Sequence, residues 1–144
     1  MDQGYTVLLY EGKNGHEVRH AEDVDLLRYC QQTVRGHIEI VYPKGLERPY
    51  LMVVNDEGRL RNMEINPVAS YLYGTQDHGE PIVGPAMVLK QIMTDDGPDI
   101  GFLTQDEALK IVIRLGKAHQ WCSMYDFIFE VAQHWREGNE KTNI

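Results

Sequence analysis

Residues 35 to 89 constrain the fold more than any other part of the chain, because they set strand, turn and cap signals in a definite order. The run Arg35-Gly36-His37-Ile38-Glu39-Ile40-Val41 reads as extended backbone. Side chains alternate along such backbone, so Arg35, His37, Glu39 and Val41 share one face while Gly36, Ile38, Ile40 and Tyr42 share the other. Two strands are predicted, over residues 36–42 and 50–55, joined by a loop carrying Pro43, Gly45 and Pro49. Asn55-Asp56-Glu57-Gly58 then turns the chain, and residues 59–65 read as a further short strand. Asn66 is a good N-cap with Pro67 at the first helical position, which predicts a short helix over residues 68–73. A strand returns over residues 82–92, with Gly84-Pro85 marking a bulge or an edge.

The flanking segments add a strand before this block and helices around it. Thr6-Val7-Leu8-Leu9-Tyr10 is a first strand, closed by the turn-forming Gly12-Lys13-Asn14-Gly15. Residues 22–34 are predicted as a helix with acids in its first turn. Its apolar face is Val24, Leu27, Gln31 and Val34, broadened by Leu26 and Cys30. Asp95-Asp96-Gly97-Pro98 is the clearest loop, and it divides an α+β core (residues 1–95) from a helical extension (residues 96–144) packed on it as one compact unit. Thr104-Gln105-Asp106-Glu107 fits a capping box. The helix that follows is apolar at Ala108, Leu109, Ile111, Val112, Ile113 and Leu115, with a polar stripe of Asp106, Lys110, Arg114 and Lys117. Gly116 weakens its end, and His119-Gln120-Trp121-Cys122 joins it to a second helix over residues 123–135, with Met124, Phe127, Ile128, Val131 and Trp135 on its core face. The fold class is therefore α+β: a small mixed or antiparallel sheet with helices on one face, plus a C-terminal helical pair.

Charge and cysteine content narrow the setting. A formal charge of −8, from 22 acidic and 14 basic residues, is unsuited to coating duplex nucleic acid, which depends on Lys and Arg neutralising phosphates. The two cysteines, Cys30 and Cys122, lie far apart, which fits buried free thiols in a reducing compartment. The start of the chain lacks the basic and apolar regions of a signal peptide, and no apolar run is long enough to span a bilayer. A cytoplasmic protein without membrane partners is the expectation.

Several polar groupings can carry binding. Arg35, His37 and Glu39 make a ready anion, base or metal site, although a solvated sheet face with neighbouring ion pairs is the more ordinary explanation. No Cys/His cluster completes a metal set around His37 and Glu39, so no metal and no cofactor is assigned. Asn55, Glu57, Asn62 and Asn66 gather around one turn and one helix start, where amides can read a nucleobase edge or simply cap and turn the backbone. Tyr71 and Tyr73 can stack on a base or pack on the sheet. An Asp106–Lys110 pair is expected within the basic stripe of the first tail helix. Nothing matches a P-loop, a dinucleotide-binding glycine pattern, a nucleophile elbow or H-E-x-x-H, and no catalytic residue is assigned.

Three pieces of residues 35–89 carry a likeness: the Gly-His-Ile-Glu strand from Gly36, the Val-Asn-Asp-Glu-Gly-Arg-Leu turn from Val54, and Asn66 followed by Ile82-Val83-Gly84. In this order they resemble the domain of unknown function family 3846, found in phages, plasmids and conjugative elements of bacteria. His37 replaces an aromatic residue of the family pattern, and Pro67 replaces a basic one. The resemblance implies a mobile-element accessory protein in the host bacterial cytoplasm, acting in counter-defence. Its expected mode is non-enzymatic: a homo-oligomer that sequesters a host signalling nucleotide. By residue chemistry, Arg35 and Arg59 would contact phosphates, Asn55 and Asn66 the base or ribose, and Tyr71 the base face, with His37, Glu39 and Glu57 completing the candidate site. One alternative is a protein-binding inhibitor or adaptor that blocks a host defence protein through the helical tail. Another, weaker, is a nucleotide-cleaving enzyme using His37 and Glu39 as acid and base.

Overall fold

The first apolar run becomes β1 (Tyr5–Leu9), buried from Thr6 onward because it lies between two neighbours in a sheet. The computed structural model describes residues 3–12, 15–21, 23–75 and 80–142, with side chains through residue 124. In it β1 pairs antiparallel with β2 (His16–His20) and with β5 (Ala86–Thr94). On the other side of β5 lies β4 (Tyr50–Asn55), and β3 (Ile38–Val41) closes that edge. β6 (Gly97–Gly101) pairs with the second half of β5, from Lys90 opposite Gly101 to Thr94 opposite Gly97. Among the described residues the sheet is six-stranded and wholly antiparallel, in the order β2-β1-β5-β4-β3 with β6 on β5.

Alternation along the central strands divides the core in two. Val7, Leu9, Met52, Val54 and Val88 pack with α2 (Pro67–Tyr73) and α3 (Gln105–Thr142). Leu8, Leu51, Val53, Met87 and Leu89 pack with Cys30 and Val34 of α1 (Leu26–Val34). The α+β class and antiparallel sheet agree with the sequence, whereas the helices lie on both faces rather than one. The reason is in the strands: Val7-Leu8-Leu9, Leu51-Met52-Val53-Val54 and Met87-Val88-Leu89 are apolar at consecutive positions, so both sides need cover.

The boundaries follow local chemistry. α1 starts at Leu26, later than expected, because the Asp25 carboxylate caps it by accepting from the Arg28 N–H at 3.5 Å; no acid stands in its first turn, and Glu22 lies outside the described residues. Its inward face centres on Cys30 and Val34, and Leu27 is half exposed. Residues 56–62 are successive turns instead of a strand, and only Ile65 forms a β-bridge, to Val83. The expected loop at Asp95-Asp96 is the tight turn of the β5–β6 hairpin. Lys13 and Asn14 of the first expected turn lie outside the described residues.

The C-terminal pair is a single helix, α3, opened by the capping box as expected. The Thr104 N–H donates to Glu107 Oε1 at 2.9 Å, and the Glu107 N–H donates to Thr104 Oγ1 at 3.1 Å. Gly116 does not end the helix, since an isolated glycine costs only about 1 kcal/mol against alanine and the core contacts of Leu115, Ala118 and Cys122 carry the helix past it. Of the second expected core face, Met124 is exposed, while the side chains of Phe127, Ile128, Val131 and Trp135 lie outside the described part.

Candidate functional site

The edge strand β3 leaves part of the α2-facing side of the sheet uncovered, and the turns after β4 fold over the gap. Asn55 organises those turns: its Nδ2 donates to the Val34 carbonyl at 2.8 Å and its Oδ1 accepts from the Glu57 N–H at 2.7 Å. The Asp56 N–H donates to the His37 carbonyl at 2.9 Å, and the Met63 N–H to the Gly58 carbonyl at 3.0 Å. A Cβ on Gly58 would stand 2.7 Å from Val83 Cγ2, so glycine permits the close approach of these two walls.

The opposite wall is residues 81–83, pinned from α2. Ser70 Oγ donates to the Ile82 carbonyl at 3.2 Å and accepts from the Ile82 N–H at 3.0 Å. The Asn66 N–H donates to the same carbonyl at 2.8 Å. Gly74, at φ 98°, ends α2 in the left-handed region that glycine adopts without strain, leaving Tyr73 at the end of the helix, beside the cleft.

Between these walls lies a cleft of about 550 Å³, within the range of small-molecule sites. Val41, Val54, Ile82 and Val83 contribute apolar lining. Among the described residues the charged lining is Glu39, Asp56, Glu57 and Glu80 against Arg59 alone. Arg59 forms an ion pair with Glu80 and donates to the Pro81 carbonyl at 3.3 Å. With side-chain exposures of 57% and 68%, that ion pair is of the surface kind, which contributes ~0–1 kcal/mol and is readily exchanged for another anion. Carboxylates are acceptors only, so the cleft suits a ligand rich in hydroxyl or N–H donors that sets one of its anionic groups against Arg59.

Four of the eight residues singled out from the sequence line this cleft: Glu39, Asn55, Glu57 and Arg59. Asn55 does so with both ends of its amide engaged in the fold. His37 is exposed at the start of the edge strand and is not part of the lining. Arg35 caps α1 at φ 65°, pairs with Glu11, and lines a separate shallow cavity of about 410 Å³ together with Arg61. Asn66 is fully buried, capping α2 through the Ala69 N–H at 3.1 Å and donating to the Leu9 and Gly84 carbonyls at 2.8 and 2.9 Å. Tyr71 packs against Trp121, ring centroids 5.0 Å apart.

Sequence reasoning left Asp56, Glu80 and residues 81–83 out of the site. Asp56 lies in the turn that the sequence marks, but nothing local signals Glu80 and residues 81–83, because the β-bridge between Ile65 and Val83 is what brings this wall to the turns. Tyr73 was visible as one of two tyrosines, and only the helix end decides which of them reaches the cleft.

Elsewhere the chemistry is structural. The expected Asp106–Lys110 ion pair does not form; Lys90 and Glu107 pair at 2.7 Å, and Arg114 and Glu47 at 3.1 Å. Burial pushes the Cys30 thiol up to about 11, and Cys122 is buried in the other half of the core, across the sheet. His119, inside α3 rather than at a joint, meets His16 at 2.9 Å between ring nitrogens; burial first, and the neighbouring imidazole second, hold its pKa below the usual value. Among the described residues no group of three His, Cys, Asp or Glu side chains is placed to hold a metal, and no helix is long and apolar enough to cross a membrane.

Compared with known proteins, residues 5–115 match the family described as Domain of unknown function (DUF3846), a span running from β1 into the first third of α3. No curated protein and no solved structure matches the chain.

Proposed function

The chain belongs to the DUF3846 family, and from that kinship together with the cleft we propose a binding protein rather than a catalyst: a mobile-element accessory protein that acts in counter-defence by sequestering a host signalling nucleotide. The observation that carries this reading is the convergence of Glu39, Glu57 and Arg59 with Tyr73 in one cavity of nucleotide size. Arg59 takes one phosphodiester by exchange with Glu80. Glu39 and Glu57 accept from ribose hydroxyls or exocyclic amines, and Tyr73 offers a ring for the base. The surplus of carboxylates narrows the ligand class to nucleotides with little phosphate per base, such as cyclic oligonucleotides, and disfavours linear polyphosphates.

The test is incubation of the full chain with cyclic dinucleotides, cyclic trinucleotides and ADP-ribose-type compounds, followed by filtration, heat denaturation and chromatography of both fractions. Depletion from the filtrate with intact recovery after denaturation is the expected result. A new product would replace sequestration with cleavage, and free, unchanged nucleotides throughout would remove the proposal for these classes. Arg59→Ala should weaken binding by about 10- to 100-fold, the range for a charged hydrogen-bond pair. Arg35→Ala, altered in the separate cavity, should leave the affinity unchanged.

A further inference from the structure

We propose that the solvent face of α3 is a docking surface for an acidic amphipathic helix of a partner protein, a role independent of the cleft. Leu109, Ile113 and Met124 are 50%, 78% and 64% exposed. At 100° per residue these three fall within about 60° of one another on the helix. The core contacts of α3, from Ala108, Ile111, Leu115, Ala118 and Cys122, lie on the opposite side. Gly116 and Gln120 come between the exposed apolar residues, so no charge interrupts the stripe from Leu109 to Met124. Single exposed apolar residues are ordinary; an aligned set on the face turned away from the core is the mark of an interaction surface.

Charge selects the occupant. Lys110 and Lys117 flank one side of the stripe, and among the described residues neither has an ionic partner. On a chain of net charge −8, this flank complements a segment that sets carboxylates beside its own apolar positions. A groove of about 240 Å³ next to the stripe, lined by Tyr50, Lys110, Ile111 and Ile113 and by the Glu47–Arg114 ion pair, offers a seat for one apolar anchor side chain. Nucleic acid would meet apolar side chains where it needs cations. A second copy docked antiparallel about a two-fold axis would set the two lysine flanks against each other.

The experiment uses the full chain and two labelled amphipathic peptides of about 18 residues, or five helical turns. They share a leucine face and carry either Glu or Lys along its flanks, and binding is read by fluorescence anisotropy. The Glu peptide should bind at least about tenfold more tightly than the Lys peptide, and added salt should weaken it. Ile113→Glu should reduce that binding by about tenfold or more, and the double variant Lys110→Glu with Lys117→Glu should reverse the peptide preference. All three positions are exposed, so unchanged thermal melts will verify that the variants fold. Equal affinity for the two peptides, binding of neither, or undiminished binding by Ile113→Glu would overturn the proposal. So would sedimentation showing a wild-type dimer that Ile113→Glu dissociates, or displacement of the Glu peptide by a duplex oligonucleotide.

Discussion

Asn66 illustrates how one side chain can be read correctly for its local role and still carry more than that. The sequence marks it as an N-cap before Pro67, and it does cap α2 through the Ala69 N–H. Its amide nitrogen also ties β1 to the segment before β5 by donating to the carbonyls of Leu9 and Gly84. Asn66→Ala removes the cap and leaves two buried carbonyls short of a donor, so it should cost about 2–3 kcal/mol of stability. Urea unfolding monitored by circular dichroism checks this; a loss below about 0.5 kcal/mol would mean the tie is replaceable. Asn55 plays a comparable part at the turn after β4, holding α1 and the cleft wall together. Both asparagines look like ligand-reading amides in the sequence, because side-chain chemistry alone does not reveal which backbone groups need partners.

At the scale of elements, the start of α3 is clamped by a small polar network. Glu107 closes the capping box and pairs with Lys90 on β5, both side chains being about one-fifth exposed. Burial pushes the Glu107 carboxyl up, but the Lys90 ammonium and the hydrogen bonds from Thr104 outweigh it, so its pKa lies below the usual 4.5. A depressed folded-state pKa means the stabilisation is complete above the unfolded value and is lost as pH falls through the folded one. Lys90→Met should therefore lower stability by about 1–2 kcal/mol near pH 7. The gap between variant and wild type should be smaller at an acidic pH well below 4.5, where the carboxyl protonates. Thermal melts at the two pH values test it, and a gap of equal size at both would exclude the ion pair as its source. The capping box was legible because its four residues are contiguous; the Lys90 partner was not, being 17 residues away on another element.

At the scale of the molecule, the sheet and α3 are inseparable. Leu103, Ala108, Ile111 and Leu115 are fully or almost fully buried in the same cluster as Val7, Met52 and Val88, and β6 completes the pairing of β5. A chain ending at Asp99 would cut β6 and expose that cluster. It should show no cooperative thermal transition, whereas the full chain should melt in one step. A truncated chain with a sharp transition would establish that the α+β part stands alone. The same geometry places the cleft and the exposed stripe of α3 on one packed body, so each can be altered without touching the lining residues of the other.

By itself the sequence determined what depends on neighbours along the chain. Alternation assigned the two faces of β3, Asn66-Pro67 began α2, Thr104 and Glu107 opened α3, and consecutive apolar residues marked the central strands. The order of elements from Arg35 to Leu89 was enough to recognise the family. Only tertiary structure decided the rest. Antiparallel pairing brought β2 and β6 into the sheet, the core carried α3 past Gly116, and the Ile65–Val83 bridge drew Glu80 and residues 81–83 toward Glu39, Glu57 and Arg59. The same folding placed Arg35 in another cavity and buried Asn66. Local signals report propensity over a few residues, whereas a cleft is made by contacts between segments distant in sequence, whose register is set by burial of the whole core.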